Sequence, residues 1–298
     1  MFYSTLYGLN FASDFPIPIL QPQKKQKKID VIVRKKKIST KGIVDAKVKG
    51  KICQIKEGSL WLSIPKVARY LVLAGKEIHI DSEISLKSPA ISLYLLGSCL
   101  GALLQQRNIL ALHGTTVLIN KEAHIFCGPS GIGKSTLAAS FAKKGFRVFS
   151  DDISMLNCQA YTFSGVPQVS LLENSIKYLN LEGYKGYNLF KIGKKSFMIK
   201  QENNAMAIKV RSIYFLYKNK NKKVFIQEIK GISKVKSLIE NIYRPDFISG
   251  LGKKNQNFTA CVDLANQVRI MECYRPQSLS FLDELISKIL EKEQKNDF

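Results

Sequence analysis

Arginine is scarce in this chain: it supplies 8 of the 46 basic residues, and lysine the other 38. Planar recognition of phosphates and bases favours the guanidinium fork, so a net charge of +23 carried mainly by lysine argues against a nucleic-acid partner. Ile and Asn are abundant as well, a bias of the kind a whole genome imposes. The six cysteines are scattered without CxxC or Cys/His spacing, which excludes a sequence-local metal site and leaves free thiols in a reducing compartment. The opening MFYSTLYGLNF lacks the basic start and apolar centre of a signal peptide, so a cytoplasmic location is expected. Only residues 88–106 form an uncharged run long enough to consider as a membrane span. That run holds three serines, two glycines and two glutamines, so a buried helix is expected and no span. Within it Gly97 and Gly101 form a GxxxG that allows close packing against a neighbour. No internal repeat is visible, and a homo-oligomer is compatible with all of this.

The most specific stretch is IFCGPSGIGKSTL, where Gly128, Gly133, Lys134 and Ser135 fill the GxxxxGK[ST] spacing of a phosphate-binding loop. The binding unit is Gly128, Pro129, Ser130, Gly131, Ile132, Gly133, Lys134, Ser135 and Thr136. Its glycines let successive N–H groups converge on phosphate oxygens. Lys134 adds a positive charge and Ser135 a hydroxyl for Mg²⁺. The flanks agree: an apolar strand-length run at 123–127 precedes the loop, and a helical face of Leu137, Ala138, Phe141 and Ala142 follows it.

Residues 1–87 read as a small β domain with strands at 4–11, 29–33, 51–55, 60–64, 69–73 and 77–80. It carries 17 basic and 7 acidic residues, a denser positive charge than the remainder. KKQKK and RKKK hold most of the excess, as solvated edge lysines or as a binding patch. Residues 88–298 read as a P-loop domain, giving a mixed α/β fold. Strands at 109–120 and 123–127 form a hairpin. If Ile119 pairs with Glu122 or Ala123, His113 falls opposite Gly128 or Pro129, beside the phosphate cradle. His79 and His124 lie within strand runs and are structural. After the P-loop helix a strand at 146–150 ends in Asp151-Asp152, and parallel α/β sheets bind ligands beyond such carboxyl ends. One acid would hold Mg²⁺ and the other receive a proton, with only one of the two side chains aimed directly at the nucleotide. Further on, the expectation is a helix at 172–181, a mobile loop at 182–195, and an antiparallel pair at 207–217 and 224–229 joined by KNKNKK. Helices at 235–243 and 258–267, a strand at 268–274 and a last amphipathic helix with Phe281, Leu282, Leu285, Ile286, Ile289 and Leu290 on its apolar face complete the chain.

The block LHGTTVLINKEAHIFCGPSGIGKSTLAASFAKKGFRVFSDDIS resembles the HPr kinase/phosphorylase catalytic domain, itself similar in its nucleotide site to phosphoenolpyruvate carboxykinase. YGLNFASDFPIPIL, LYLLGSCLGALLQQRNILALHG, SGVPQVSLLENS and YRPQSLSFLDEL look like the HPr-kinase-like enzymes of lasso-peptide gene clusters. The resemblance implies ATP and Mg²⁺ as cofactors and phosphorylation of a serine hydroxyl of a peptide or protein, typically at the end of a precursor peptide. His113, Lys134 and Asp151 would join Asp152, the proton acceptor, in the catalytic set. Ser135, Asp151 and Asp152 would be the metal-binding set. Thr136 stands where the bifunctional enzymes usually carry Glu, and their phosphorylase signature is not recognisable, which speaks against the reverse reaction. Glu173, Arg244 and Arg275 are candidates for a second metal ligand and a phosphate-contacting arginine. Two other readings remain open at this level: a nucleotide-gated protein that binds nucleic acid or an acidic partner, and a small-molecule kinase on the same fold.

Overall fold

A computed structural model describes residues 1–184, 186–188, 193–199, 206–220 and 223–294. The chain is a mixed α/β protein with two main sheets. The first contains β1 (Phe2–Leu6), β2 (Leu9–Ser13), β3 (Val31–Lys35), β4 (Val48–Lys49), β5 (Cys53–Lys56), β6 (Ser59–Ile64), β7 (Ala68–Leu73) and β8 (Glu77–Ser82). Their order is β1-β2-β3-β8-β7-β6-β5-β4, with β3 parallel to both β2 and β8. Period-2 burial runs through β7, where Ala68, Tyr70 and Val72 face inward. The single run expected at 4–11 is in fact a hairpin: Tyr7 and Gly8, with φ of 52° and 71°, turn the chain back.

Ser88 opens the next helix by accepting a hydrogen bond from the Ala90 N–H at 3.3 Å, with a proline in the first turn. The helix at 88–106 is not uniform. It runs as α1 (Pro89–Tyr94), a π turn (Leu95–Cys99) and α2 (Leu100–Gln106). This rod lies buried between the two sheets, in one cluster with Tyr70 and Ile80 on one side and Ala111, Ile153 and Tyr243 on the other. Among the described residues no helix is long and apolar enough to cross a membrane. All six cysteines are free.

The second sheet is built around β9 (Leu110–Ile119), β10 (Glu122–Cys127), β11 (Arg147–Ser150), β12 (Ile153–Leu156) and β13 (Tyr161–Phe163). The helix α3 (Lys134–Lys143) connects β10 to β11. β14 (Gln168–Leu172), α4 (Glu173–Tyr178), β15 (Gly186–Asn188) and β16 (Lys194–Met198) follow, then β17 (Ala207–Lys218) and β18 (Phe225–Glu228). The chain ends in α5 (Ser233–Glu240), α6 (Pro245–Gly250), α7 (Lys254–Gln267), β19 (Arg269–Arg275) and α8 (Leu282–Gln294). Strands β10, β9, β12, β13 and β17 pair in a closed ring, because β10 also pairs with β17 in parallel. Since β10 and β11 both run antiparallel to β9, and β17 and β19 run parallel to β10, four carboxyl ends point the same way.

Three further expectations need correction. The segment 224–229 does not pair with β17: β18 pairs antiparallel with β19, which lies between them. The buried β19 takes the interior place and the largely exposed β18 the edge. The segment 182–195, read as a loop, contributes β15 and the start of β16 to a small sheet with β14; residues 185 and 189–192 lie outside the described set. In KNKNKK, residues 221 and 222 also lie outside it. Finally, the helix expected at 235–243 stops at Glu240, and Pro245 starts a helix of its own, α6, with the proline in its first turn.

The sheet faces are set by alternation on β10. Ile125 and Cys127 enter the cluster beneath α5 and α7, and Phe126 enters the opposite one beneath α3 and α8. Phe126 is fully buried and stacks on Tyr214 at 5.2 Å and Phe141 at 5.6 Å. Phe126→Ala is expected to lower stability by about 3–5 kcal/mol, read as a fall in the urea midpoint at constant slope; a change below about 1 kcal/mol would contradict this packing.

Candidate active site

The hairpin register follows from its two-residue turn at Asn120-Lys121. Ile119 pairs with Glu122 and Gly114 with Cys127, so the next step sets His113 level with Gly128. There β10 leaves the sheet and becomes the phosphate-binding loop. Gly128 has φ 144°, and an added Cβ would lie 3.0 Å from the Leu216 carbonyl oxygen, so a side chain has neither room nor conformation. Gly133, φ 103°, sits over the Arg275 guanidinium, 2.5 Å from where its Cβ would be. Arg275 is buried behind the loop and donates to the Ile132 carbonyl, and to Pro276 O at 3.1 Å. It thus holds the Ile132 carbonyl of the loop; the sequence offers it only as one candidate for a phosphate contact. Ile132 has its side chain in the core, so it offers only backbone to the cradle; Pro129, Ser130 and Gly131 are exposed.

Lys134 is buried and donates to the carbonyls of Gly128 at 2.7 Å and Pro129 at 3.2 Å. Burial pushes its pKa below the ordinary lysine value, while the Cys127 side and both acids oppose that. The Ser135 hydroxyl donates to Asp151 Oδ1 at 3.0 Å, and Ser170 N–H donates to Oδ2 at 3.3 Å. Thr136 turns its side chain away, bonding Ser175 at 2.8 Å and tying α3 to α4. Glu173 is exposed at the start of α4.

β11 and β12 lie on the same edge of β9, and Asp151-Asp152 is the kink between them. Asp152 has φ 72°, a left-handed conformation that breaks the strand alternation. Both acids therefore reach the site, in contrast to the single side chain expected. Asp151 is buried, and its pKa rises to about 6, first through burial and then through the neighbouring Asp152. Asp152 is 57% exposed and approaches His113 Nδ1 at 3.4 Å through Oδ1.

His113 Nδ1 also lies 3.1 Å from the Asp152 backbone carbonyl. A carbonyl only accepts, so Nδ1 carries the proton of the neutral ring. Burial lowers the His113 pKa, with Asp152 opposing, which keeps the ring neutral near pH 7. Past Gly114 the β9 edge vacated by β10 is taken by the segment after α5: His113 N–H bonds Asn241 O and Tyr243 N–H bonds Ala111 O, each at 2.8 Å. That segment brings in Tyr243, whose hydroxyl donates to Asp152 Oδ2 at 3.0 Å, and the exposed Arg244.

Two cavities meet at Asp152. One, of about 700 Å³, is lined by His113, Gly128–Ser130, Tyr94, Tyr217, Tyr243 and Arg244, among others. The other, of about 120 Å³, is lined by Ser135, Asp151, Gln168, Ser170, Lys194 and Tyr7. Tyr7, at the tip of the first hairpin, is buried and donates to Ile153 O at 2.7 Å, bracing the strand just after the acids. Tyr7, Lys194, Tyr243 and the clamp by Arg275 are absent from the sequence reading. The only signals for them were the YGL turn, a lysine in a loop, and a tyrosine ahead of Arg-Pro. His79 and His124 stand apart from the site, His79 beside Glu77 and His124 beside the buried Glu293.

No protein-family model matches the chain. No curated protein matches it either. Among solved structures, the HPr(Ser) kinase/phosphatase from Coxiella burnetii aligns over 62% of this chain and 90% of its own, with 12% identity and a TM-score of 0.32.

The raised Asp151 pKa carries a definite sign. The folded state holds this proton more tightly than the unfolded chain, so its contribution weakens stability as pH climbs from about 4 through about 6. Asp151→Asn should therefore be more stable than the parent at pH 8, by up to about 3 kcal/mol, with the gap closing toward pH 4. Thermal unfolding at a series of pH values reads this, and a variant less stable at pH 8 would refute the burial penalty.

Proposed function

We propose that this chain is an ATP- and Mg²⁺-dependent kinase that transfers the γ-phosphoryl group to a serine hydroxyl of a peptide or protein. The resemblance in sequence to lasso-peptide HPr-like kinases makes a ribosomal precursor peptide the acceptor class to try first. The observation that carries the reading is the division of labour between the two acids. Asp151 is bonded to the loop Ser135, and Asp152 stands beside His113 in the wall of the larger cavity. A nucleotide sensor needs the first arrangement but not the second.

The residues fit the groups such a reaction needs. Gly131 has open space where a side chain would stand, and the N–H groups from Gly131 to Ser135 with the Lys134 ammonium would hold the β- and γ-phosphates. Ser135 and Asp151 would hold Mg²⁺, a cation that takes one or two carboxylates and completes its shell with phosphates and water. When bound, ATP with Mg²⁺ supplies the phosphoryl group and neutralises part of its charge.

Asp152 would take the proton of the serine hydroxyl as that oxygen forms the new bond to phosphorus and the bridge to the β-phosphate breaks. His113, its Nδ1–H given to the Asp152 carbonyl, would hold the backbone at Asp152 and so orient the carboxylate toward the hydroxyl, whose single proton goes to Asp152. The acceptor would enter through the larger cavity, because Asp152 and His113 both line it.

Asp152→Asn should bind MgATP as the parent does but lose transfer by about 10²–10⁴-fold, the usual worth of a positioned base. Calorimetry with MgATP and labelling of a serine-containing peptide library from γ-labelled ATP measure the two properties. Transfer at the parent rate would remove Asp152 from the role.

A further inference from the structure

The larger cavity holds a tyrosine that the proposed chemistry does not yet use. We infer that Tyr243 is the positioning residue of the Asp152 carboxylate, seated for it in a groove that Gly97 and Gly101 leave open on the buried helical rod. The inference rests on the reading of Asp152 as proton acceptor.

Asp152 needs such a partner. Its side chain is more than half exposed, it stands at a left-handed kink, and a short carboxylate there would otherwise turn freely between the two cavities. Tyr243 occupies Oδ2 with a 3.0 Å hydrogen bond, and Oδ1 is the oxygen beside His113. With one oxygen held by a donor, the other is left to receive the proton. Burial, and then the charge of Asp152, push the tyrosine pKa upward, so its hydroxyl stays protonated and donates.

The tyrosine is itself held on every side. Its N–H bonds Ala111 O at 2.8 Å and its carbonyl accepts from Gln105 Nε2 at 2.8 Å. Its ring lies 5.8 Å from that of His113 and is 5% exposed. A methyl group at Gly101 would stand 2.8 Å from two ring carbons, and one at Gly97 would stand 3.5 Å from the hydroxyl. Gly97 lies in the π turn, where the helix departs from regular hydrogen bonding, a departure often found beside functional groups. The GxxxG of this rod thus serves an aromatic side chain.

The test uses the full chain and Tyr243→Phe, which keeps the ring and removes only the hydroxyl. The first readout is the carboxyl ¹³C chemical shift of Asp152 at one fixed pH, identified by its loss in Asp152→Asn. Removing the donor at Oδ2 changes the surroundings of the carboxyl carbon, so the signal should move in Tyr243→Phe. The other groups facing the carboxylate are His113 from β9, Lys134 from α3, Lys194 from β16, Asp151, Arg244 and Tyr7, and all remain in the variant. The second readout is labelling of the serine-peptide library, where kcat should fall about tenfold, the scale of a bond to a charged group, while KM for MgATP stays within about twofold. Gly101→Ala keeps the hydroxyl but displaces the ring, and should move both readouts the same way. An unmoved Asp152 signal in Tyr243→Phe, or a moved signal with unchanged kcat, overturns the inference. A parent chain that labels no peptide removes the kinase reading instead, and the Asp152 signal still decides whether Tyr243 holds Asp152.

Discussion

The backbone hydrogen bonds of β9 are the constraint from which the site follows. A central strand must satisfy N–H and C=O groups along both edges. On one edge β10 supplies them as far as Cys127 and then departs as the phosphate loop, so the segment at Asn241 to Tyr243 takes over. On the other edge β11 and β12 supply them in succession, and the join between them is Asp151-Asp152. Both exchanges of partner occur near the same point of β9, and His113 is the residue of β9 at that point. Loop, acids, histidine and tyrosine meet because one strand has to be paired along its whole length.

The electrostatics follow from this meeting. Two carboxylates adjacent in sequence are driven apart in character by their surroundings. Asp151, buried with two hydrogen-bond donors, is the acid whose pKa rises. Asp152 reaches open space and carries the tyrosine and histidine. Lys134 lies close enough to feel both acids, and burial and the acids act on its charge in opposite senses.

The first sheet takes part in the same arrangement. Its hairpin tip places Tyr7 on the carbonyl that follows the acid pair, and Gly165 leaves the space for that ring, since a Cβ there would lie 2.6 Å from the Tyr7 hydroxyl. The rod of α1, the π turn and α2 joins the two sheets through one continuous hydrophobic cluster and offers Gly97 and Gly101 to Tyr243. Lysine-rich ends of the first sheet remain at the surface, where Arg34 and Lys35 of β3 are exposed.

How much was legible in the sequence depended on how far apart the partners stand in the chain. The phosphate loop is a run of consecutive residues whose glycines and flanking periodicities declare its backbone. The level of His113 with Gly128 follows from a two-residue turn, because a hairpin register is counted residue by residue. The acid pair was visible as the end of an apolar strand, but the kink that turns both acids to one site was not, since it arises from the change of partner strand along β9. Pairing of β18 with β19 was likewise decided by which strand could be buried. Tyr243 meets Asp152 across 91 residues, Tyr7 meets Ile153 across 146, and Arg275 meets Ile132 across 143. No local period encodes such contacts. They exist only once the sheets have closed, because a hydroxyl or guanidinium finds a distant carbonyl through packing, whereas glycines in a loop act through their own backbone.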